Sequence, residues 1–513
     1  MKSSILFQLS LFGILIIMSN FLFIKSEENE FAIEIKDLFD KSALVEDKEK
    51  VDFDDTITGD TLVDEMGFGW NLGNTLDAFD YNVRTTNDGL DSETMWGNPK
   101  TNEEMIQELL IKGFRTLRIP ITWHNHLIDE NYTIDPRWME RVKTIVDWGI
   151  NNGLYVIINS HHDVAKLSDE KIGYGEGYYT SPRDIEESER FIYNVWRQIA
   201  IAFNNGYDHH LVFEGLNEPR MSGHEFEWNF EPTNDDCVAA AEVLNEYMKL
   251  IVKAIRESGG NNEKRFIMIT PLSASYTSAM YSNVIIPDDS KYNSEINKLL
   301  LSVHMYTPYD FALNGNMDYT RFTDAYKEEI YEDFSNLYQK YVSNGYNIII
   351  GEMGTVNKNN TEDRNAWAEF FVKNSRKFHM SCVLWDNGDF DNTKGATEIF
   401  GSFHRDKLTW ENSDLIDTHI TFASEPFEEV DASDLFAIEL KETYTKEGMV
   451  KDDGNVLFDE EVTAEEIANK IGMGWNLGNT LDAFTKDIRG YNQGLESETC
   501  WGNPVTTEEM IKK

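Results

Sequence analysis

Along most of this chain, short apolar runs rich in β-branched residues alternate with longer segments whose apolar positions recur every three or four residues. Runs of the first kind fall at residues 67–72, 114–121, 154–159, 211–216, 265–270, 299–306, 347–352 and 381–385. They are too short for helices and are bounded by turn residues, so they predict buried strands. Segments of the second kind, at 103–112, 138–151, 184–204, 238–257, 325–341 and 364–377, predict helices. Eight strands with helices between them predict an α/β fold, the closed (β/α)8 TIM barrel. An open doubly wound sheet would call for a glycine-rich phosphate turn after the first strand, and Gly73-Asn74-Thr75 is no such motif.

The pattern changes at both ends. Met1-Lys2 leads into an apolar stretch from Ile5 to Ile24, which predicts a secretion signal over residues 1–26, with an uncleaved membrane anchor as the alternative, and a secreted, extracellular protein with no membrane attachment in its mature form. Residues 27–60 are acidic and lack periodicity, which predicts a propeptide or linker. The catalytic barrel is expected over 61–423. Residues 424–466 are acidic and poor in aromatics, as a linker is. A repeat then begins: Met66–Ile106 aligns without gaps to Ile471–Ile511 with 28 identities in 41 positions, including Gly-Trp-Asn-Leu-Gly-Asn-Thr-Leu-Asp-Ala-Phe in both copies. The offset of 405 residues is the size of a whole barrel with its linker, so residues 467–513 are expected to be the truncated start of a second catalytic domain.

Charge narrows the partners. Ninety-one acidic against 46 basic residues leave a formal charge of −45, which repels nucleic acid and anionic lipid but leaves neutral polymers unaffected. Three cysteines, Cys237, Cys382 and Cys500, make no paired framework, so the fold must rest on its core.

Two acids end predicted strands: Glu218 in Leu-Asn-Glu-Pro and Glu352 in Ile-Gly-Glu-Met-Gly. Catalytic groups of such barrels sit where the strands end, and a pair of carboxyls is what glycosidic bond cleavage requires. One must carry a proton for the leaving oxygen while the other stays ionised. Arg118 in Leu-Arg-Ile-Pro is placed to hold Glu352 ionised, whereas Glu218 would need an apolar or anionic setting to stay protonated. His304 and Tyr306 alternate on one strand, so both can face the barrel mouth while Met305 faces away. Sugar rings stack on exposed aromatics, for which Trp70, Trp96, Trp123, Tyr178, Tyr179 and Trp228 are weak candidates.

Taken together, Gly-Trp-Asn-Leu-Gly-Asn-Thr-Leu-Asp-Ala from Gly69, Leu117-Arg118-Ile119-Pro120, His161-His162, Asn217-Glu218-Pro219, His304-Met305-Tyr306, Gly351-Glu352-Met353-Gly354 and Trp385-Asp386-Asn387-Gly388 resemble glycoside hydrolase family 5 over residues 60 to about 423, in the branch rich in endoglucanases. The resemblance implies a retaining endo-β-1,4-glucanase with Glu218 as acid/base and Glu352 as nucleophile. It also implies substrate contacts from Arg118, His161, His162, Asn217, His304, Tyr306 and Trp385, with Asn74 serving a distal sugar. No cofactor is expected, and zinc held by His161, His162 and His304 is disfavoured because no Cys or His-Glu-x-x-His motif accompanies them. The expected partner is a β-glucan polysaccharide, with xyloglucan, mixed-linkage glucan, xylan and mannan as alternatives and a non-catalytic glucan-binding protein as the rival outside enzymes. A monomeric catalytic domain is expected, any scaffold docking being left to segments not visible in this sequence.

Overall fold

In the computed structural model of the chain, the described residues are 31–80, 87–167, 175–391, 398–435, 450, 454, 462–471, 477, 480–481 and 494–512. The expected signal at 1–26 lies outside them. Among them, no helix is long and apolar enough to cross a membrane.

The predicted strands form. They are β1 (Phe68–Asn71), β2 (Thr116–Ile119), β3 (Tyr155–Asn159), β4 (Leu211–Glu214), β5 (Ile267–Ile269), β6 (Leu299–His304), β7 (Ile348–Met353) and β8 (Met380–Leu384), all parallel and closed in that order, with Phe68 of β1 paired to Cys382 of β8. Helix α1 (Gly59–Met66) precedes the barrel. Around it run α2 (Glu103–Lys112), α3 (Pro136–Asn151), α4 (Ile185–Ala202), α5 (Asp235–Arg256), α6 (Tyr276–Tyr281), α7 (Tyr309–Ala312), α8 (Asp324–Lys340), α9 (Thr361–Lys377) and α10 (Ser413–Ala423).

Alternation along each strand divides the core in two. Phe68 and Trp70 of β1, Leu117 and Ile119 of β2, and Leu211 and Phe213 of β4 pack outward against the helices. Inside the barrel, Ile157, Val212, Met268, Leu300, Ile349 and Val383 form an apolar layer that Leu62, Val63 and Met66 of α1 close from below. The interior positions above it are polar: Asn71, Arg118, Asn159, Glu214, Ser302 and Glu352, all buried. Such a layer exposes nothing and must be fully paired, which confines its chemistry to the upper, C-terminal end.

The segment expected as a propeptide or linker is packed over residues 31–58. Phe31, Ile33 and Phe39 are buried in the core shared with the barrel helices. Ile33 N–H donates to Glu189 (3.2 Å), Leu38 N–H to Asn194 (2.8 Å) and Val51 N–H to the Asn205 carbonyl (2.7 Å), so the strap is stitched along α4 and the turn after it. The acidic residues between the apolar ones masked an extended, every-second-residue pattern at Phe31, Ile33 and Ile35.

Residues 439–513 form a unit of their own. In it, α11 (Ala464–Ile471) and α12 (Glu508–Lys512) stand 405 residues after α1 and the start of α2. Thr506 N–H donates to Glu498 at 2.7 Å, as Thr101 N–H donates to Glu93 at 2.8 Å in the barrel. The repeated sequence thus repeats local structure. Most of the predicted linker at 424–466 lies outside the described residues.

Removing the buried rings of the strap should destabilise the barrel without touching its chemistry. Phe31→Ala and Phe39→Ala are each expected to cost about 3 kcal/mol or somewhat less and to lower the melting temperature measurably, with kcat at 25 °C unchanged. A melting temperature that stays put in both would make the segment a free linker after all.

Candidate active site

Arg118 stands at the centre of the mouth and is fully buried. Its Nε donates to Glu214 Oε2 (2.8 Å), Nη1 to Glu352 Oε1 and Asn71 Oδ1 (both 2.8 Å), and Nη2 to Asn217 Oδ1 (2.6 Å). Strand alternation puts Arg118 of β2, Asn71 of β1 and Glu214 of β4 inside, while Asn217 reaches the group from the β4–α5 loop. Burial opposes the guanidinium charge, but Glu214 and Glu352 outweigh it and raise the Arg118 pKa further. Burial alone would also raise Glu214, yet Arg118, His304 and Ser302 hold it down at about 2, so it is ionised at every ordinary pH.

Glu352 reaches the same point through a bulge. The register of β6 on β7 shifts so that Val303 pairs Ile350 while His304 pairs Glu352, leaving Gly351 as the extra residue. Ile349 and Gly351 already face inward, and strict alternation would turn Glu352 outward; the inserted residue brings it back to the mouth. Gly351 fits tightly, since a Cβ there would lie 3.0 Å from His304 Nε2, 3.1 Å from Ser302 Oγ and 3.2 Å from Glu214 Oε1 and would press on all three. Tyr306 O–H donates to Glu352 Oε2 at 3.0 Å.

Glu218 faces Glu352 across His304. His304 Nδ1 lies 2.8 Å from Glu218 Oε1 and 3.6 Å from Glu352 Oε2, and one carboxyl oxygen of each acid lies within 4.8 Å of the other. Burial works against a charge on His304, but Glu352, Glu214 and Glu218 lift its pKa to about 9. Glu218 is also desolvated, yet the hydrogen bond and charge of His304 hold it below its ordinary value; Glu352 is raised by burial, with His304 and Arg118 pulling it back. The expectation of an apolar or anionic setting for Glu218 is therefore corrected. Its neighbour is a cation, and the proton an acid would need rests on the imidazole 2.8 Å away.

The remaining candidates line one side of the mouth. His161 is buried, its Nδ1 accepts from the Asn159 side-chain amide at 3.1 Å, and its ring lies parallel to Trp385 at 5.9 Å. Burial and His162 push its pKa well down, so it is neutral. His162 is half-buried, 3.6 Å from Asp77, and packs against Phe79 and Trp96. Trp385 is half-buried over Gly73, where a Cβ would meet the indole at 2.8 Å. Asn74 sits half-buried at the end of β1 with φ 55°, its N–H on Asp77 and its carbonyl accepting from Asn98. Of the weaker aromatics, Trp70, Trp123, Tyr178 and Tyr179 are core residues and cannot stack a sugar. Trp228 is 52% exposed, and Arg220 covers one of its faces at 4.4 Å. The three histidines do not converge: among the described residues His304 groups with Glu218 and Glu352, and His161 and His162 with Asp77.

Glu214, Asn71, Asn159 and Ser302 were not anticipated. Their signal was present, since each is a polar residue at an inward position of an otherwise apolar strand. Period two from Val212 places Glu214 inside.

A closed parallel barrel with two acids facing each other at its C-terminal mouth defines a glycoside hydrolase. Residues 76–391 match the cellulase family, glycosyl hydrolase family 5, and the chain belongs to that family. It is 42% identical over 388 residues to endoglucanase 1 of Ruminococcus albus, covering 73% of this chain and 86% of that one. A broad-specificity endoglucanase from Ruminococcus champanellensis with bound cellotriose superposes with a TM-score of 0.64 at 34% identity, covering 72% of this chain and all of that one. A family 5 lichenase from a Caldicellulosiruptor species, in complex with cellotetraose, does so at 0.66 and 33% identity, covering 76% and 99%. The protein is accordingly a glycoside hydrolase with endoglucanase activity.

The position of the His304 proton makes a pH prediction. kcat/KM should fall as pH rises through about 9, where that proton is lost. Glu214→Gln removes one of the charges that hold the proton and should move this alkaline limb to lower pH. A limb unmoved in the variant would leave Glu214 with a structural role only.

Proposed function

We propose that the protein is a secreted, retaining endo-β-1,4-glucanase acting on cellulose-type β-glucans as a monomeric barrel. The observation that supports the mechanism is that one carboxyl oxygen of Glu218 and one of Glu352 lie within 4.8 Å of each other around His304. Retaining enzymes hold their acids about 5–5.5 Å apart, whereas inverting ones leave about 6.5–9.5 Å for a water. In the first step Glu352 attacks the anomeric carbon, a carbon–oxygen ester bond forms, and the bond to the leaving oxygen breaks. Glu218 delivers the proton to that oxygen. A bound glucan expels water, which makes the ion pair of Glu218 and His304 more costly and moves the proton from Nδ1 to Oε1. Esterification then removes the Glu352 charge that helped hold the proton on His304. In the second step Glu218 takes a proton from the attacking water and the ester breaks, so two inversions restore the configuration.

Arg118 and Tyr306 fix both oxygens of Glu352 for that attack. Since Arg118 occupies Asn217 Oδ1, the Asn217 amide nitrogen is the end presented to the sugar 2-hydroxyl. Trp385 offers a stacking face beside the reacting sugar, with His161, His162 and Asn74 on the same side. Trp228, carried by the loop that follows Glu218 and backed by Arg220, is read as a further stacking face. The lichenase among the similar structures supports mixed-linkage glucan as the second substrate. Residues 467–513 are read as a second copy of the start of the catalytic domain, supported by the matching helices and the Thr506–Glu498 hydrogen bond.

Trp385→Ala should lose about 1–3 kcal/mol of stabilisation, read as kcat/KM on long glucans. Unchanged kinetics would make the ring part of the core. For the acids, Glu218→Ala should nearly abolish hydrolysis of natural glucan yet accumulate a glycosyl-enzyme from an aryl glucoside whose leaving group needs no proton. Glu352→Ala should lose both. The first product of the unaltered enzyme should keep its anomeric configuration by NMR; an inverted one would overturn the assignment.

A further inference from the structure

The turn that enters β4 carries Asp208-His209-His210 at the base of the barrel, opposite the end that bears Glu218. We propose that these three residues bind one divalent transition-metal ion such as Zn2+ through two imidazole nitrogens and a carboxylate oxygen. One donor atom of each lies within 4.8 Å of the others. Ligands of a tetrahedral zinc stand roughly 3.4 Å apart given metal–ligand distances of about 2.0–2.2 Å, so modest ring rotation closes the set.

The side chains are held ready for this. Asp208 Oδ1 accepts the His210 backbone N–H and lies 2.9 Å from His210 Nδ1. The His210 ring is stacked on Tyr155 at 4.5 Å, and His209 sits 4.5 Å from His210 with Phe53 against its edge at 6.2 Å. Rings fixed by aromatic walls lose little freedom when they take up a ligand. His209 Nδ1, moreover, is buried and has no hydrogen-bond partner among the described residues. A nitrogen so placed calls for an occupant, and a metal supplies one where the residue itself is half-exposed and reachable.

Electrostatics point the same way. Glu65 and Asp54 put negative charge on His209, and Glu65 is anchored by the Tyr155 hydroxyl at 2.5 Å. Nitrogen donors favour zinc, nickel or copper over calcium and magnesium. The three ligands all belong to the β4 turn, and Phe53 of the N-terminal strap and Tyr155 of β3 pack against their rings, so an ion would fix the turn against these two neighbours. Its expected consequence is stability rather than catalysis.

The test uses the full chain, freed of metal by chelator and titrated with zinc chloride. One equivalent should bind by calorimetry, raise the melting temperature and leave hydrolysis unchanged. His209→Ala and His210→Ala should each weaken binding at least tenfold and abolish the thermal shift. Cobalt bound to the unaltered protein should show the absorption of nitrogen and oxygen ligation, which covers variants that fold poorly. No uptake up to millimolar zinc, an all-oxygen cobalt spectrum, or binding that survives both variants and is lost in His162→Ala or His304→Gln would overturn the proposal.

Discussion

A guanidinium with no exposure to water, paired to two carboxylates in the barrel's upper interior, is the interaction on which the rest of the site depends. Arg118 meets Glu214 at 2.7 Å and Glu352 at 2.8 Å, and each of these pairs survives only because the other partners are present. Removing one member of a buried pair leaves an unpaired charge and costs about 3–5 kcal/mol, so these residues form one unit rather than a list. Asn71, Asn159, Ser302 and Asn217 complete the hydrogen bonds that make the burial tolerable. Counting Arg118 and a charged His304 against Glu214, Glu218 and Glu352 leaves a net negative site. That suits a reaction whose transition state gathers positive charge on the sugar.

The barrel provides this layer by geometry. Parallel strands staggered around a closed ring bring alternate residues of β1, β2, β3, β4 and β6 to one height, and the bulge at Gly351 adds Glu352 from β7. Apolar side chains fill the floor beneath, with α1 as a plug, so water reaches the polar layer from above only. His304 holds its proton to about pH 9 because Glu352, Glu214 and Glu218 outweigh the cost of burying its charge. The packed N-terminal strap adds apolar burial on the outer face without entering the site.

Much of this was legible in the residues. Short β-branched runs and intervening helical periods specify strands and helices because burial on both faces demands continuous apolar runs, and the eight strands came within a residue or two at most ends. Glu218 and Glu352 stood out as charges near strand ends, and His304 and Tyr306 both reach the two acids, although β6 ends at His304 and Tyr306 follows it in the loop. The aromatics were not legible: Trp70, Trp123, Tyr178 and Tyr179 have the same chemistry as Trp385 but are buried. A ring's exposure depends on what packs over it, and that lies far away in sequence.

The sequence by itself determined the order of elements, the two acids, the repeat 405 residues on and the acidic surface, because these are local or additive properties of the chain. Only the tertiary structure decided that Glu214 joins the acids, that Glu218 shares its proton with His304, and that Asp208, His209 and His210 lie between Phe53 and Tyr155. It also decided that residues 31–58 are packed on the barrel. Each of these depends on distances between residues remote in the chain, and electrostatic and packing energies are functions of distance and burial, which no single segment specifies.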